Sequence, residues 1–172
     1  MGDNKPEVWL RGKVAGVPNL LQPVAHALLQ SMEEIEKYTQ GFPEELLWKI
    51  PSGRASVGFH LQHLTGVVDR MLSYAKTEKL SEAQFAYLKN EGNSNEDISI
   101  KILVQNFRKK VEEAVVFLKN TPEDILTENR PVGRKALPSS VIGLLFHAAE
   151  HSQRHVGQVL VTVSFLKENR EI

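Results

Sequence analysis

Residues 146–166 read FHAAEHSQRHVGQVLVTVSFL, and the interpretation of this stretch decides that of the whole chain. As a helix it is apolar over most of its circumference, and it carries His147, His151 and His155 four residues apart, followed by Gln158. Each four-residue step on an α-helix turns 400°, so successive members differ by about 40° and all four side chains share an arc of roughly 80°. His151 and His155 stand one turn apart, about 6 Å along the axis, a spacing that suits two imidazoles converging on one ion. His147 and His155 are about 12 Å apart along the axis and do not make natural partners. A third ligand must come from elsewhere, and the remaining histidines are His26, His60 and His63. A solvated helix face is normally built from Glu, Lys, Arg and Gln. Three histidines in register with no lysine among them favour metal binding over such a face, and over the other plain alternative of core histidines satisfied by hydrogen bonds.

The rest of the composition narrows the chemistry. The chain of 172 residues is most economically one domain and is long enough to bury a core. Lys and Arg number 21 and Asp and Glu number 21, so no net field favours nucleic acid or an anionic membrane. No basic stripe interleaved with aromatics is visible either, and nucleic-acid binding is not expected. There is no cysteine, which excludes disulfides, thiolate metal sites and a cysteine nucleophile; a metal site must use nitrogen and oxygen ligands. The N-terminal residues MGDNKPEVWLRGKV lack the apolar core of a signal peptide, and no later run reaches membrane-spanning length. No membrane role and a cytoplasmic address are expected.

Periodicity predicts four long amphipathic helices. Residues 1–16 read as an irregular arm anchored by Trp9 and Leu10, with a single domain over 17–172. The first helix opens at Val17-Pro18-Asn19 and runs to about Gln40, with Leu20, Leu21, Val24, Leu28, Met32 and Ile35 at spacings of three and four. Pro23 is close enough to its start to be tolerated. A connector follows, in which Trp48, Ile50 and Pro51 fold back as a lid. Ser56 begins the second helix, to about Lys76, on an apolar stripe from Val57 to Ala75. Ser81 to Gln84 matches a capping box and predicts a short helix over about 82–90. GNSNED breaks the chain, and Asn95 or Asp97 caps the third long helix, which ends near Asn120. Residues 121–139 form a long crossover with three prolines and one glycine, and Ser139 or Ser140 opens the last helix. With no convincing strand pattern, the fold class is all-α: a four-helix bundle with a long crossover loop and short additional helices.

The second helix contributes GFHLQHL, with His60 and His63 three residues apart. Periodicity sets His60 nearer the centre of the apolar stripe, about 50° from it, and His63 about 110° away. In bundles, metals are held between facing helices by inward side chains at such spacings. Glu150 lies more than 90° around from the histidine stripe of the last helix, and Asp69 is also off the ligand face.

Two motifs and the helix order resemble the DinB-like proteins, which include the YfiT-like metal-binding proteins, over about residues 17–168. The family pattern has a Ser or Thr opening the second helix and a histidine seven residues later before an aliphatic residue, here Ser56 and His63-Leu64. Its last helix reads His, three residues, His, one residue, Gly-Gln, here His151, His155, Gly157 and Gln158; Val156 stands where the family often has a polar residue. The resemblance implies His63, His151 and His155 as metal ligands, whereas periodicity favours His60 over His63. His60, His147 and Gln158 remain candidates for contacts around the ligands or in the pocket.

Three neutral imidazoles leave coordination positions open, as in catalytic zinc sites, and all-nitrogen ligation suits Zn²⁺ or Ni²⁺. The resemblance implies a divalent-metal protein, a metal-dependent transferase or hydrolase acting on a small molecule through an activated thiol or water. The alternative is a non-catalytic metal- or ligand-binding bundle with a structural or stress-related role. No general base is evident, and family members are diverse in activity, so the reaction does not follow from the fold. The apolar excess of the last helix, together with the family's habit of pairing, predicts a homodimer.

Overall fold

The structure, a computed structural model, describes residues 5–95 and 97–169. Five α-helices form: α1 (Gln22–Thr39), α2 (Val57–Ala75), α3 (Glu82–Asn90), α4 (Ile100–Lys119) and α5 (Val141–Glu168). No strand forms among the described residues. Two isolated antiparallel bridges, Asn129 with Ser140 and Val132 with Leu137, tighten the crossover between α4 and α5. The chain is an all-α bundle, as its periodicity predicts.

Each of α1 and α2 packs against both α4 and α5, so α1 and α2 occupy one diagonal of the bundle and α4 and α5 the other. Cross-helix contacts give the directions. Gln153 donates to the Ala27 carbonyl and Lys167 to that of Gln40, which makes α1 and α5 parallel. His60 meets His155 while His63 meets His151, so α2 is antiparallel to α5. On the other flank, the Arg108–Glu36 ion pair and the Ile100 amide donating to Glu44 at 3.0 Å set α4 antiparallel to α1. Consequently α2 and α4 are parallel neighbours, and the chain between them has to travel back along the bundle. That return is made by α3. The core between the layers is aliphatic with one aromatic, Phe107, among its fully buried side chains; Leu28, Ile35, Leu61, Leu64, Leu118 and Leu145 are buried as completely.

Local sequence explains the helix ends. Ser56, Ser99 and Ser140 each accept a hydrogen bond from the backbone three residues on, at the starts of α2, α4 and α5. Ser81 and Gln84 form a reciprocal capping box at α3. The cap of α4 corrects the expectation of Asn95 or Asp97: the Asn95 side chain instead accepts from the Asp97 amide at 2.9 Å, closing a local turn ahead of the helix. Asn19–Leu21 is a 3-10 turn, and α1 proper begins at Gln22, with Pro23 in its first turn where a missing amide is harmless.

Two apolar anchors also differ from expectation. Trp9 and Leu10 are about 60% exposed, and it is Val8 that is buried, its amide donating to Gln30 at 2.9 Å. A tight 3-10 turn over Val8–Arg11 directs only this one side chain inward. In the connector, Trp48 does pack on the core, but Ile50 is 63% exposed and takes no part in a lid. Trp48 lies over Gly58, where a Cβ would collide with its ring. No helix among the described residues is long and apolar enough to cross a membrane.

Candidate metal centre

The centre lies between antiparallel α2 and α5. Capping by Ser56 starts α2 so that His60 and His63, on its first two turns, face the middle of α5. The rings form a chain: His63 to His155 and His151 to His155 are each 4.6 Å between centroids, His63 to His151 is 5.2 Å, and His60 to His155 is 5.1 Å. Phe59 stacks on His63 with centroids 5.2 Å apart and planes nearly parallel. One nitrogen from each of His63, His151 and His155 falls within 4.8 Å of the others, a grouping that could hold an ion.

Which nitrogens face the group follows from the hydrogen bonds on the other side of each ring. His63 Nδ1 lies 2.6 Å from Glu91 Oε2. An ionised carboxylate only accepts, so Nδ1 carries a proton, and in the neutral ring that a metal requires Nε2 holds the lone pair. That Nε2 is 2.9 Å from His151 Nε2. His155 Nδ1 is engaged by His60 Nδ1 at 2.9 Å, which leaves Nε2 as its free nitrogen. His151 Nδ1 is buried and, among the described residues, has no hydrogen-bond partner. Two nitrogens bound 2.0–2.1 Å from one ion stand about 3.0 Å apart at a right angle and roughly 3.3 Å apart in a tetrahedron. The 2.9 Å between His63 and His151 Nε2 is close to that range, and the donor set fits a divalent ion.

Burial above all favours the neutral form of His60, His151 and His155, the form a metal needs. Burial, with like-charge coupling to His63, brings His60 down to about 4. Burial and the neighbouring His63 and His147 bring His151 to about 4. Burial and coupling to His63, His151 and His60 bring His155 to about 3. For Glu91, burial acts upward, but hydrogen bonds from His63 and Arg70 outweigh it and hold the carboxyl below its ordinary value.

Not every candidate joins the group. His147 lies one turn from His151, 4.9 Å between centroids, and its Nδ1 is held at 2.8 Å by Glu150, which Arg154 in turn contacts at 2.8 Å. Helical geometry had set Glu150 aside, yet a flexible side chain brings it to His147, and His147, Glu150 and His151 form a second grouping of ligand atoms. Gln158 is exposed and outside the cluster. It stands three residues beyond His155, level with the first turn of α2, where the facing helix ends. His26 contacts the Gly12 carbonyl on the surface. Asp69 pairs with Lys110 and Gln84 instead of a histidine.

The residues that sequence reasoning missed are Glu91 and Arg70. Glu91 follows the end of α3 and is 28 positions from His63, and no periodicity marks it.

A sequence model described as the DinB superfamily matches residues 9–159. No curated protein matches the chain. A crystal structure of a protein from Streptococcus pneumoniae superposes with a TM-score of 0.62 at 12% identity, covering 84% of this chain and 88% of that one. At that identity the likeness concerns the fold alone.

Proposed function

We propose that this chain, which belongs to the DinB superfamily, binds one divalent metal ion through His63, His151 and His155. The observation that carries the reading is the convergence of three histidine nitrogens from two helices within 4.8 Å. His63 is the ligand from α2, and His60 stands behind His155 as the acceptor for its Nδ1 proton. Only nitrogen donors are offered, which suits Zn²⁺ or Ni²⁺. Three imidazoles leave room for water or a substrate thiol, and the bound ion would lower its pKa or polarise a carbonyl. The chemistry this supports is a metal-dependent transfer or hydrolysis on a small molecule.

A second reading has its own support. His60 with His155 and His63 with His151 each stand at hydrogen-bond distance, 2.9 Å, the arrangement of a non-catalytic polar cluster that specifies how α2 and α5 pack. Elemental analysis of the untagged protein as purified separates the two. About one zinc or nickel per chain supports the metal reading, and protein that neither carries nor takes up a divalent ion supports the cluster.

The outer face of α5 supports a homodimer. Val161 is 67% exposed and Phe165 46%, with Leu160 beside them, one turn after Gly157, at which an added Cβ would meet nothing. An apolar patch beside a bare stretch of helix allows close approach of a second copy.

A further inference from the structure

The return segment between α2 and α4 does more than reconnect parallel helices. Starting near the end of α2, α3 runs back along it through polar contacts. Gln84 donates to Asp69 and Ser73, Tyr87 donates to the Gln62 carbonyl, and the Gly92 amide donates to the Gln62 side chain. None of the residues of α3 is buried, so little apolar area holds it there. Its end nevertheless presents Glu91, whose side chain is only 3% exposed, to both Arg70 at 2.7 Å and His63 at 2.6 Å. Gly66 makes the space for this: a Cβ there would collide with the Glu91 carboxylate and the Arg70 guanidinium.

We infer that Glu91, fixed by Arg70 and admitted by Gly66, is the positioning residue of the metal centre: it holds His63 with Nε2 toward the ion and raises the donor strength of that ring. This rests on the metal reading above. A carboxylate accepting the distal N–H of a ligating imidazole fixes its tautomer and orientation, and loss of such a partner costs about 10–100-fold in metal affinity. His155 has an imidazole, that of His60, in the corresponding place and His151 Nδ1 has no hydrogen-bond partner among the described residues, so His63 is the one ligand of the three with an anionic anchor. The coupling is reciprocal: whatever factor Glu91 adds to ion binding, the ion returns to the docking of α3.

The test uses the full chain and Zn²⁺, titrated against a chromophoric chelator. Glu91→Ala should weaken binding about 10–100-fold, and Glu91→Gln, which keeps an acceptor but no charge, by less. Gly66→Ala offers an independent variant. The two closest atoms are the far ends of flexible side chains, the Tyr87 ring edge at 3.1 Å has only to give slightly, and Ala is the better helix former, so the fold survives while the pair is pushed off His63. Thermal unfolding of the metal-free variants checks this. Two further readouts distinguish positioning from general support. Nitrogen NMR of the metal-free wild type should show His63 protonated at Nδ1, and zinc should slow amide exchange over Glu82–Asn90 in the wild type but not in Glu91→Ala. Wild-type affinity in folded Glu91→Ala and Gly66→Ala would overturn the inference while leaving the metal reading intact. A wild-type chain that takes up no zinc would bring down both.

Discussion

His63 and His151 approach each other through their Nε2 atoms, 2.9 Å apart, across the interface of α2 and α5. Two ring nitrogens at that distance need a shared proton or an ion between them. In the metal reading, Ala at either position removes a ligand, and affinity for zinc should fall by more than the about 10–100-fold of an outer contact. His147→Ala should keep most of the metal. His60→Ala removes a partner of His155, not a ligand, and should cost less than His63→Ala. Parallel zinc titrations at pH 7.5 measure all four, and equal losses in His147→Ala and His151→Ala would show the ligand assignment to be wrong.

Acid should destabilise the metal-free bundle. His60 and His151 are lowered to about 4 and His155 to about 3, against about 6.5 for an unfolded histidine. Between those values the unfolded chain binds more protons than the folded one, so stability is greatest above about pH 6.5 and falls as the pH drops toward 4 and then 3. Below the folded-state values these groups add no further loss. Melting temperatures from pH 7.5 to 4.5 in chelator should decline steadily, and a rise over that interval would contradict the burial of these rings.

Gly58 and Trp48 make a stability test remote from charge. A methyl at Gly58 meets the Trp48 ring, a rigid group packed on the core, and cannot be relieved by rotating a chain end. Gly58→Ala should destabilise by about 1–3 kcal/mol despite its better helix propensity. Denaturant unfolding followed by tryptophan fluorescence provides the measurement, and an unchanged midpoint would mean that Trp48 does not sit over this turn.

For the proposed dimer, a charge on the outer face of α5 is the direct probe. Val161→Asp and Phe165→Asp replace exposed side chains, so the monomer fold should hold while self-association weakens by at least tenfold. Light scattering at tens of micromolar should give a dimer for the wild type and a monomer for the variants. A monomeric wild type would end the proposal.

The determinants legible in the sequence were those written in local spacing. Helix existence followed from three- and four-residue periodicity, and the caps at Ser56 and Ser81, with that of α5 narrowed to Ser139 or Ser140, followed from serine placed at the start of each run, because helical hydrogen bonds and capping bonds connect residues no more than a few positions apart. The register of His151 and His155 was fixed in the same way. Even the misplaced cap of α4 was a local contest, between an Asn95 turn and Ser99, of two residues with similar capping chemistry.

Tertiary structure alone decided where the two α2 histidines stand and brought in Glu91. A helical wheel measures angles from a stripe, but rotation of α2 against α5 set His60 on the far side of His155 and His63 against His151. Glu91 reaches His63 because α2 and α4 run parallel, which obliges α3 to return along α2 and end beside that histidine. That route depends on how the helices stack, a relation between residues distant in the chain, and no spacing along the sequence records it.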